Sequence, residues 1–233
     1  MLSRQASFGP NNVPVRFPLR IDLFTLVPHA FAWLTEQRPL AAVLGGELDL
    51  RLFNYRDTTP LRAGQVDDEP YGGGAGMVLR VDVVAAALDA AYGGSPEQPV
   101  IALTPKGRPL TQDVVEELAR TPALTLLSAR FEGFDERVVE HFATDAISIG
   151  PYVLSNGDLP AMVVLDAVAR RLPGALAEGS GELESFSAEL GGGLEYPHYT
   201  RPADFRGWTV PDILLSGDHA RIEAWRRGMV TPR

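Results

Sequence analysis

The stretch SIGPYVLSNGDLPA, residues 148–161, organises the rest of the chain. A β-type run over Ala146–Ile149 leads into a loop rich in glycine and proline, and an unusually apolar helix is predicted over Leu159–Leu172. Asp158 is a good N-cap for that helix, and Pro173-Gly174 ends it. Because a turn-rich loop between a strand and a helix leaves backbone groups available to a ligand, we expect a binding site here.

The predicted helix is apolar nearly all round, which indicates burial on several sides or in a subunit interface. Asp166 and Arg170 are its first strong polar residues, and their spacing of four places them on one face. An exposed ion pair would explain them. An arginine that rises from a buried helix beside a glycine-containing loop could instead meet a substrate, and we favour this second interpretation.

The composition is that of an ordinary globular protein, with 45% hydrophobic and 22% charged residues over 233 positions. There is no cysteine, which excludes disulfides, thiolate metal sites and cysteine nucleophiles and fits a reducing cytoplasm. No apolar run reaches the length of a membrane span, and the N-terminus lacks a signal-peptide pattern. We therefore expect a cytoplasmic protein with no membrane partner.

The net charge of −9 argues against indiscriminate binding to DNA or any other nucleic acid, since neutralising phosphates requires lysine and arginine. The charge is unevenly distributed, however. Residues 1–20 carry +3 and residues 196–233 carry +2, which leaves −14 for the middle of the chain. An acidic body with mildly basic ends permits a specific RNA partner.

The pattern of strands and helices predicts an α/β fold. Residues 1–18 have no hydrophobic period and are predicted to form a disordered leader. Apolar strands that alternate with helices then predict a parallel sheet with helices on both faces. The predicted strands are Arg20–Val27, which alternates, Leu48–Tyr55, Val100–Leu103, Leu124–Ser128 and Ala146–Ile149, and the predicted helices are Pro28–Glu36, Val81–Ala91, Gln112–Arg120 after the cap Thr111, Glu136–Phe142 and His219–Arg227.

Ligands of parallel sheets bind beyond the carboxyl ends of the strands. Three predicted loops leave those ends, at residues 104–107, at residues 129–133 and at Gly150. We expect these loops to converge on one site.

A long segment without periodicity, Arg56–Gly76, separates the second strand from the helices, and loops of that length are usually functional or mobile. It lacks both the phosphate-binding P-loop motif and the dinucleotide-binding glycine motif. Asp67, Asp68 and Glu69 within it could hold a hard cation or accept hydrogen bonds from a base edge. A solvated lid is the simpler alternative.

Four parts of the chain together resemble the bacterial tRNA (guanine-N1)-methyltransferase family, TrmD, of the SPOUT class. These parts are residues 66–77, 129–137, 148–162, and 197–202 with 214–219. The resemblance covers residues 20–227 and implies a deep trefoil knot that binds S-adenosylmethionine in a bent shape. It also implies a homodimer with shared active sites that transfers a methyl group to N1 of the guanosine 3′ of the tRNA anticodon, position 37.

The resemblance also implies a division of the chain into domains. After the leader, residues 19–174 would form the knotted S-adenosylmethionine-binding domain, and residues 175–194, rich in glycine, serine and glutamate, would form a flexible linker. Residues 195–233 would form a small, shortened helical domain that binds tRNA.

Matching positions to the family assigns site residues. Arg170 and Glu184 would be catalytic, and Glu184 stands where the family carries aspartate, so it keeps the carboxylate and adds one methylene. No metal ligands are assigned. The residues implied for S-adenosylmethionine are Leu103, Thr104, Pro105, Ala129, Glu132, Gly133, Ile149, Gly150, Pro151, Tyr152, Val153, Leu154, Gly157 and Pro160, and those implied for tRNA are Asp67, Asp68, Tyr71, Gly72, His198 and Arg201.

Two other hypotheses remain open at this point. Glu184 in place of aspartate is compatible with a non-catalytic relative that binds RNA or the cofactor. The predicted sheet alone would also suit an unknotted dinucleotide-binding enzyme, although no glycine motif follows the first strand.

Overall fold

The computed structural model describes residues 19–177, 180–181 and 183–232, so the predicted leader lies outside the described residues. The chain divides into two compact units between Ala175 and Leu176. Within the described ranges, no helix is both long and apolar enough to cross a membrane.

The first unit is built on a sheet of five parallel strands, which confirms the predicted α/β architecture. Its seven strands are β1 Leu19–Thr25, β2 Leu48–Asn54, β3 Asp67–Asp68, β4 Val78–Leu79, β5 Val100–Pro109, β6 Ala123–Leu127 and β7 Asp145–Ser148. The parallel sheet has the order β2-β1-β6-β5-β7, while β3 and β4 form a separate antiparallel pair.

Six α-helices accompany these strands in the described part of the first unit. They are α1 Ala32–Glu36, α2 Leu40–Val43, α3 Val81–Tyr92, α4 Gln112–Arg120, α5 Glu136–His141 and α6 Asp158–Ala169. A 3-10 turn over Pro28–Phe31 precedes α1, as the predicted short helix required. The hydroxyl of Thr111 accepts a hydrogen bond from the Val114 amide, which confirms Thr111 as the cap of α4.

Strand β1 lies in the middle of the core. Ile21, Leu23 and Phe24 are fully buried, and so is the carboxylate of Asp22 between them. The predicted alternation of buried and exposed residues is therefore wrong for this strand. A central strand of a parallel sheet is covered on both faces, so its neighbouring side chains are buried alike.

Strand β5 continues well beyond its predicted end at Leu103. The segment predicted as a loop, Thr104–Gly107, lies within the strand as an irregularity, and Leu103 and Arg108 both pair with Ile147 of β7. A Cβ atom at Gly107 would lie 2.4 Å from the Ile147 nitrogen, so only glycine fits there. The sequence hid this pairing because Pro105, Gly107 and Pro109 together are typical of a turn.

The start of α6 also differs from the prediction. Gly157 is the N-cap, and Asp158 is the first helical residue, with no capping bond from its side chain to a helix amide. The Asp158 carboxylate is buried and accepts hydrogen bonds from Thr25 Oγ1 at 2.6 Å and Ser128 Oγ at 2.7 Å. It therefore joins the ends of β1 and β6 to the start of α6.

The described part of the second unit contains short elements only. These are a 3-10 turn over Ala188–Leu190, strands β8 Asp204–Phe205 and β9 Trp208–Thr209, and helices α7 Asp212–Leu215 and α8 His219–Gly228. Helix α8 confirms the prediction to within one residue, and the side chain of Asp218 caps it by accepting a hydrogen bond from the Arg221 amide. Within the predicted linker, the Phe186 amide donates to the Gly193 carbonyl at 2.7 Å.

Candidate functional site

The three predicted segments lie on β6, β5 and β7, which are neighbours in the sheet. Residues 129–133 and the loop at Gly150 follow the carboxyl ends of β6 and β7, and residues 104–107 form the irregular part of β5 between them. Together they line a cavity of about 370 Å³. This cavity, called the loop cavity below, lies where ligands of parallel sheets are bound, and its volume falls within the range of small-molecule sites.

The loop cavity contains all but one of the residues that the family resemblance implied for the cofactor. Pro151 is exposed and is absent from the described lining. The implied residues that do line the cavity are Leu103, Thr104, Pro105, Ala129, Glu132, Gly133, Ile149, Gly150, Tyr152, Val153, Leu154, Gly157 and Pro160.

Gly157 holds the wall of the loop cavity through its backbone. Its amide donates to the Ala129 carbonyl at 2.7 Å, and an added Cβ atom would lie only 3.0 Å from the Cα of Ser128. The absence of a side chain therefore lets the loop after β7 pack directly on the end of β6. The adjoining Asp158 holds the same junction, because its carboxylate accepts hydrogen bonds from the hydroxyls of Thr25 and Ser128.

Gly150 serves a different purpose, which sequence reasoning missed. A Cβ atom at this position would lie 2.3 Å from Cε1 of Tyr152, so glycine makes room for the tyrosine ring. The Tyr152 hydroxyl donates to the Ile149 carbonyl at 3.1 Å, which closes the turn. The ring remains half exposed and can cover a ligand in the cavity.

The acidic, glycine-rich segment after β2 lies against the loop cavity. The Glu132 amide donates to the Met77 carbonyl at 2.9 Å, and the Leu79 amide donates to the Gly133 carbonyl at 3.0 Å. Gly76, with φ of +87°, also touches the Glu132 side chain, because a Cβ there would lie 2.4 Å from Glu132 Oε1. These contacts hold Glu132 in place, and Glu132 brings a carboxylate to the cavity wall.

The sequence predicted that this segment has no regular structure, and that prediction is wrong. It holds two 3-10 turns, at Tyr55–Asp57 and Arg62–Gly64, and strand β3, and Val66 is fully buried. The isolated buried residues Tyr55 and Val66 are its anchors in the core. Their spacing of eleven gives no periodic signal, so pattern reasoning could not find them.

The residues implied for tRNA in this segment are accessible or paired with arginine. Tyr71 is fully exposed, and Gly72 adopts φ of +87°. Asp68 Oδ2 lies 2.9 Å from Arg80 Nη1, and Arg80 also binds Asp82 at 2.8 Å. The hydrogen bond to Asp82 raises the pKa of Arg80, and the same bond lowers the pKa of Asp82. The side chain of Asp68 is thus already engaged, while Asp67 is half-buried.

A hard cation finds no ready ligand set around these acids. Across the ranges that the structure describes, no three His, Asp or Glu side chains come together as possible metal ligands. Asp68, the acid best placed in β3, is bound by Arg80.

Three charged residues that the family resemblance did not assign also line the loop cavity, namely Lys106, Arg130 and Glu136, and the first two lie in the predicted loops. Lys106 Nζ lies 2.8 Å from Glu136 Oε2, and both residues line the cavity. Their side chains are largely exposed, so the pair adds little to stability. Their positions in the sequence could have indicated that they line the site. Lys106 follows Pro105, which was implied for the cofactor, and Glu136 is the first residue of α5, soon after the loop that follows β6.

The two implied catalytic residues lie in different units. Arg170 is the C-cap of α6, and it is half-buried. Glu184 belongs to the second unit, is also half-buried, and its carbonyl accepts a hydrogen bond from the Ser187 amide at 3.0 Å. Their joint action stays a prediction.

The second unit holds a cavity of about 1030 Å³ with aromatic and basic walls. The guanidinium of Arg226 lies 5.0 Å from the ring centroid of Tyr196, a cation–π contact. The implied tRNA residue His198 lies on this wall, with its Nε2 3.0 Å from Glu195 Oε2, whereas Arg201 is exposed outside the described lining. Other aromatic or basic residues of the wall are Tyr199, His219, Trp225 and Arg227, and the wall also holds the acids Glu189 and Glu223.

Comparison with known proteins gives one consistent result. The family model described as tRNA (guanine-1)-methyltransferase TrmD matches residues 19–233. A tRNA (guanine-N(1)-)-methyltransferase of Brevibacillus brevis is 49% identical over 210 residues, which are 89% of this chain and 85% of that protein. Proteins with the same name from Rhizorhabdus wittichii and Geobacillus kaustophilus are 54% and 48% identical, over 81% and 89% of this chain and 76% and 85% of their own lengths.

Proposed function

The chain belongs to the tRNA (guanine-1)-methyltransferase family, and from this premise we propose that it methylates N1 of the guanosine 3′ of the tRNA anticodon. The chain is a methyltransferase that modifies guanine in tRNA, as its relatives are named. The methyl donor, the target nucleotide and the residues that act are our proposal. Because tRNA is the substrate, we place the reaction in the cytoplasm.

We propose that S-adenosylmethionine occupies the loop cavity. The observation that carries this assignment is the meeting of two strand-end loops and the irregular part of β5 around one space of about 370 Å³. Leu103, Ile149 and Leu154 offer apolar surface, and Glu132 offers a carboxylate to a cationic ligand. These residues fit a ligand that is apolar and cationic in different parts. When bound, S-adenosylmethionine would supply an electrophilic methyl group.

The guanine N1 carries a proton at neutral pH, so a base must accept that proton while a donor stabilises the charge that develops on O6. We assign the base to Glu184 and the donor to Arg170. A glutamate carboxylate can accept one proton, and an arginine guanidinium stays charged at every relevant pH. Glu184 thus keeps the chemistry of the aspartate that it replaces.

We further propose a homodimer whose knotted domains share their sites. Helix α6 supports the dimer because two apolar residues of it, Leu159 and Val163, are 54% and 43% exposed. Such a face is expected to be covered by a partner. The deep trefoil knot is proposed from the family alone, and the close passage of Gly107 against the backbone of Ile147 belongs to the irregular pairing of β5 with β7.

A non-catalytic relative was the second candidate, because Glu184 stands in place of aspartate; the family and the named relatives favour the enzyme. The dinucleotide-binding alternative loses its support, because the family is now known.

Methylation of paired tRNA transcripts separates the two candidates. The proposed enzyme transfers methyl from S-adenosylmethionine to a transcript with guanosine 3′ of the anticodon and leaves the same transcript with adenosine there unmodified. Binding of S-adenosylmethionine without transfer to either transcript would favour the non-catalytic relative.

A further inference from the structure

A second cavity adjoins the loop cavity in the first unit and has a different chemistry. It measures about 400 Å³ and is lined by Leu26, Val27, Arg56, Arg130, Phe131 and Ser155. Two of these residues are arginines and one is a serine, and no acid is among the described lining. In a chain of net charge −9, this is a local concentration of positive charge.

The two cavities share a wall formed by Arg130 and Phe131. Phe131 has φ of +61°, a left-handed conformation that is unfavourable for a residue other than glycine. The turn is held by a hydrogen bond of 3.0 Å from the Gly133 amide to the Arg130 carbonyl.

The two arginines are presented differently. Arg56 is fixed, because its Nη1 donates to the Gly64 carbonyl at 2.6 Å, which leaves its other donors for a ligand. The Arg130 side chain makes no hydrogen bond or ion pair with any residue that the structure describes, and it is half-buried. Guanidinium groups bind phosphate oxygens in a bidentate manner, and the Ser155 hydroxyl can add another donor.

We propose that this second cavity binds a backbone phosphate of the tRNA next to the nucleotide that is methylated. The proposal rests on the proposed function, because a base that reaches the methyl donor in the loop cavity brings its flanking phosphates to the neighbouring space. The exposed part of Phe131, 43% of the residue, supplies an aromatic face between donor and phosphate. The cavity therefore sets the register of the RNA beside the cofactor.

The test is the salt dependence of tRNA binding in Arg56→Gln and Arg130→Gln, with Arg62→Gln as the matched control. Arg62 is an exposed arginine of the same segment and lies outside both described linings. Each of the two cavity variants should weaken tRNA binding about 10-fold and reduce the slope of log K against log salt by roughly 0.7 to 0.9. Arg62→Gln should change neither.

Two further variants guard against a loss of folding. Arg56→Lys and Arg130→Lys keep the charge, so they should retain the salt slope of the wild type while losing part of the affinity. S-adenosylmethionine affinity, measured by calorimetry, should stay within about twofold of the wild type in the Arg56 and Arg62 variants, whose residues lie outside the loop cavity. Loss of that affinity in Arg56→Gln would assign this arginine to the cofactor and overturn the phosphate site.

The phosphate site would also be overturned if both glutamine variants kept the tRNA affinity and the salt slope of the wild type. An equal loss of tRNA affinity in Arg62→Gln would overturn it as well. Free inorganic phosphate offers the same oxygen ligands as a tRNA backbone phosphate, so a titration with inorganic phosphate tests which of the two the cavity binds. If phosphate binding disappears in Arg56→Gln while tRNA affinity stays the same, the cavity binds a free anion and the proposal is wrong. Failure of the wild type to methylate tRNA would instead strike the proposed function, so the two failures are distinguishable.

Discussion

Glu184 and Arg170 carry the chemistry at the scale of single residues. A carboxylate is a weak base at neutral pH, so Glu184 must act through its position, the exclusion of water and the charge stabilisation from Arg170. We predict that Glu184→Gln and Arg170→Ala each lower the rate of methyl transfer by about 10²-fold or more. Single-turnover kinetics on a tRNA transcript measure this loss.

Two controls accompany that measurement. S-adenosylmethionine affinity should be intact in both variants, and Glu184→Asp, which restores the residue type of the family, should be tolerated or improved. Wild-type turnover in Glu184→Gln would remove Glu184 from the role of base. Asp166, four residues before Arg170, would then be the next carboxylate to test.

Lys106 offers a direct report on ligand binding, because it is the only lysine in the chain and lines the loop cavity. Its side chain is 76% exposed, so an amine-reactive acylating reagent can reach it. We predict that saturating S-adenosylmethionine slows acylation of Lys106 several-fold, because the ligand would occupy the space beside it. Peptide mass spectrometry measures the modification.

The same labelling with NAD in place of S-adenosylmethionine is the control, and it should give the rate of the free protein. Equal acylation with and without S-adenosylmethionine would place the ligand elsewhere.

The sequence predicted most of the residues that line the loop cavity, but it predicted the role of each residue less well. The loop at Gly150 was expected to leave backbone groups available to a ligand, and the structure adds that Gly150 makes room for the Tyr152 ring. Asp158 was expected to cap a helix, and that prediction is wrong, because its side chain binds Thr25 and Ser128 across the fold. In both cases the partner of the residue is set by tertiary packing, which local pattern does not contain.

At the scale of elements, a buried polar network ties β1, β6 and α3 together. Asp22 and Thr125 are paired neighbours in the sheet, and the Tyr92 hydroxyl at the end of α3 donates to Asp22 Oδ2 at 2.8 Å and lies 2.7 Å from Thr125 Oγ1. Burial raises the pKa of Tyr92 to about 12, and the hydrogen bond to Asp22 acts in the same direction.

This shift predicts a loss of stability in alkali. The raised pKa means that folding favours the neutral phenol, so the stabilising contribution is complete below the unfolded pKa near ~10. It is lost as the pH rises through the folded value of about 12. Urea denaturation between those pH values should show a smaller fall in the free energy of unfolding for Tyr92→Phe than for the wild type.

Tyr71→Phe is the matched control, because Tyr71 is fully exposed. It should follow the wild type across the same pH range. A Tyr92→Phe protein that loses stability as steeply as the wild type would contradict the role of Tyr92.

Elements with a clear period were predicted closely, and those without one were not. The predicted helix over Val81–Ala91 ends one residue later, and α4 has its predicted bounds. The outer half of β5 and the pair β3–β4 were missed because proline, glycine and acidic residues in those segments are typical of loops. Their strand character comes from pairing with distant residues such as Ile147.

At the scale of the whole molecule, the central prediction is association. Leu159 and Val163 lie on α6 and remain exposed in the single chain. We predict that Leu159→Glu and Val163→Glu convert a two-fold dimer into a monomer, because each would bury a charge in the interface. Sedimentation velocity at micromolar concentration measures the change.

Leu52→Glu provides the comparison, since Leu52 is 37% exposed and lies on the edge strand β2. It should leave the dimer intact. A wild-type protein that sediments as a stable monomer would contradict the shared site.

The order of strands and the path of the chain were beyond the reach of sequence pattern. Alternating strands and helices predicted a parallel sheet, but the order β2-β1-β6-β5-β7 depends on contacts between strands far apart in the chain. The general rule that chains avoid knots would even have favoured an ordinary sheet. The long motifs that resemble a known family supplied the expectation of a knot.

The most direct test of the account identifies the methylated atom. The wild-type protein is incubated with S-adenosylmethionine and a tRNA transcript that has guanosine 3′ of the anticodon, and the nucleosides are then separated and weighed by mass spectrometry. We expect 1-methylguanosine at that nucleotide, and about 10²-fold less of it from Glu184→Gln in the same time. A methyl group on another atom or another nucleotide, or no methylated nucleoside from the wild type, would contradict it.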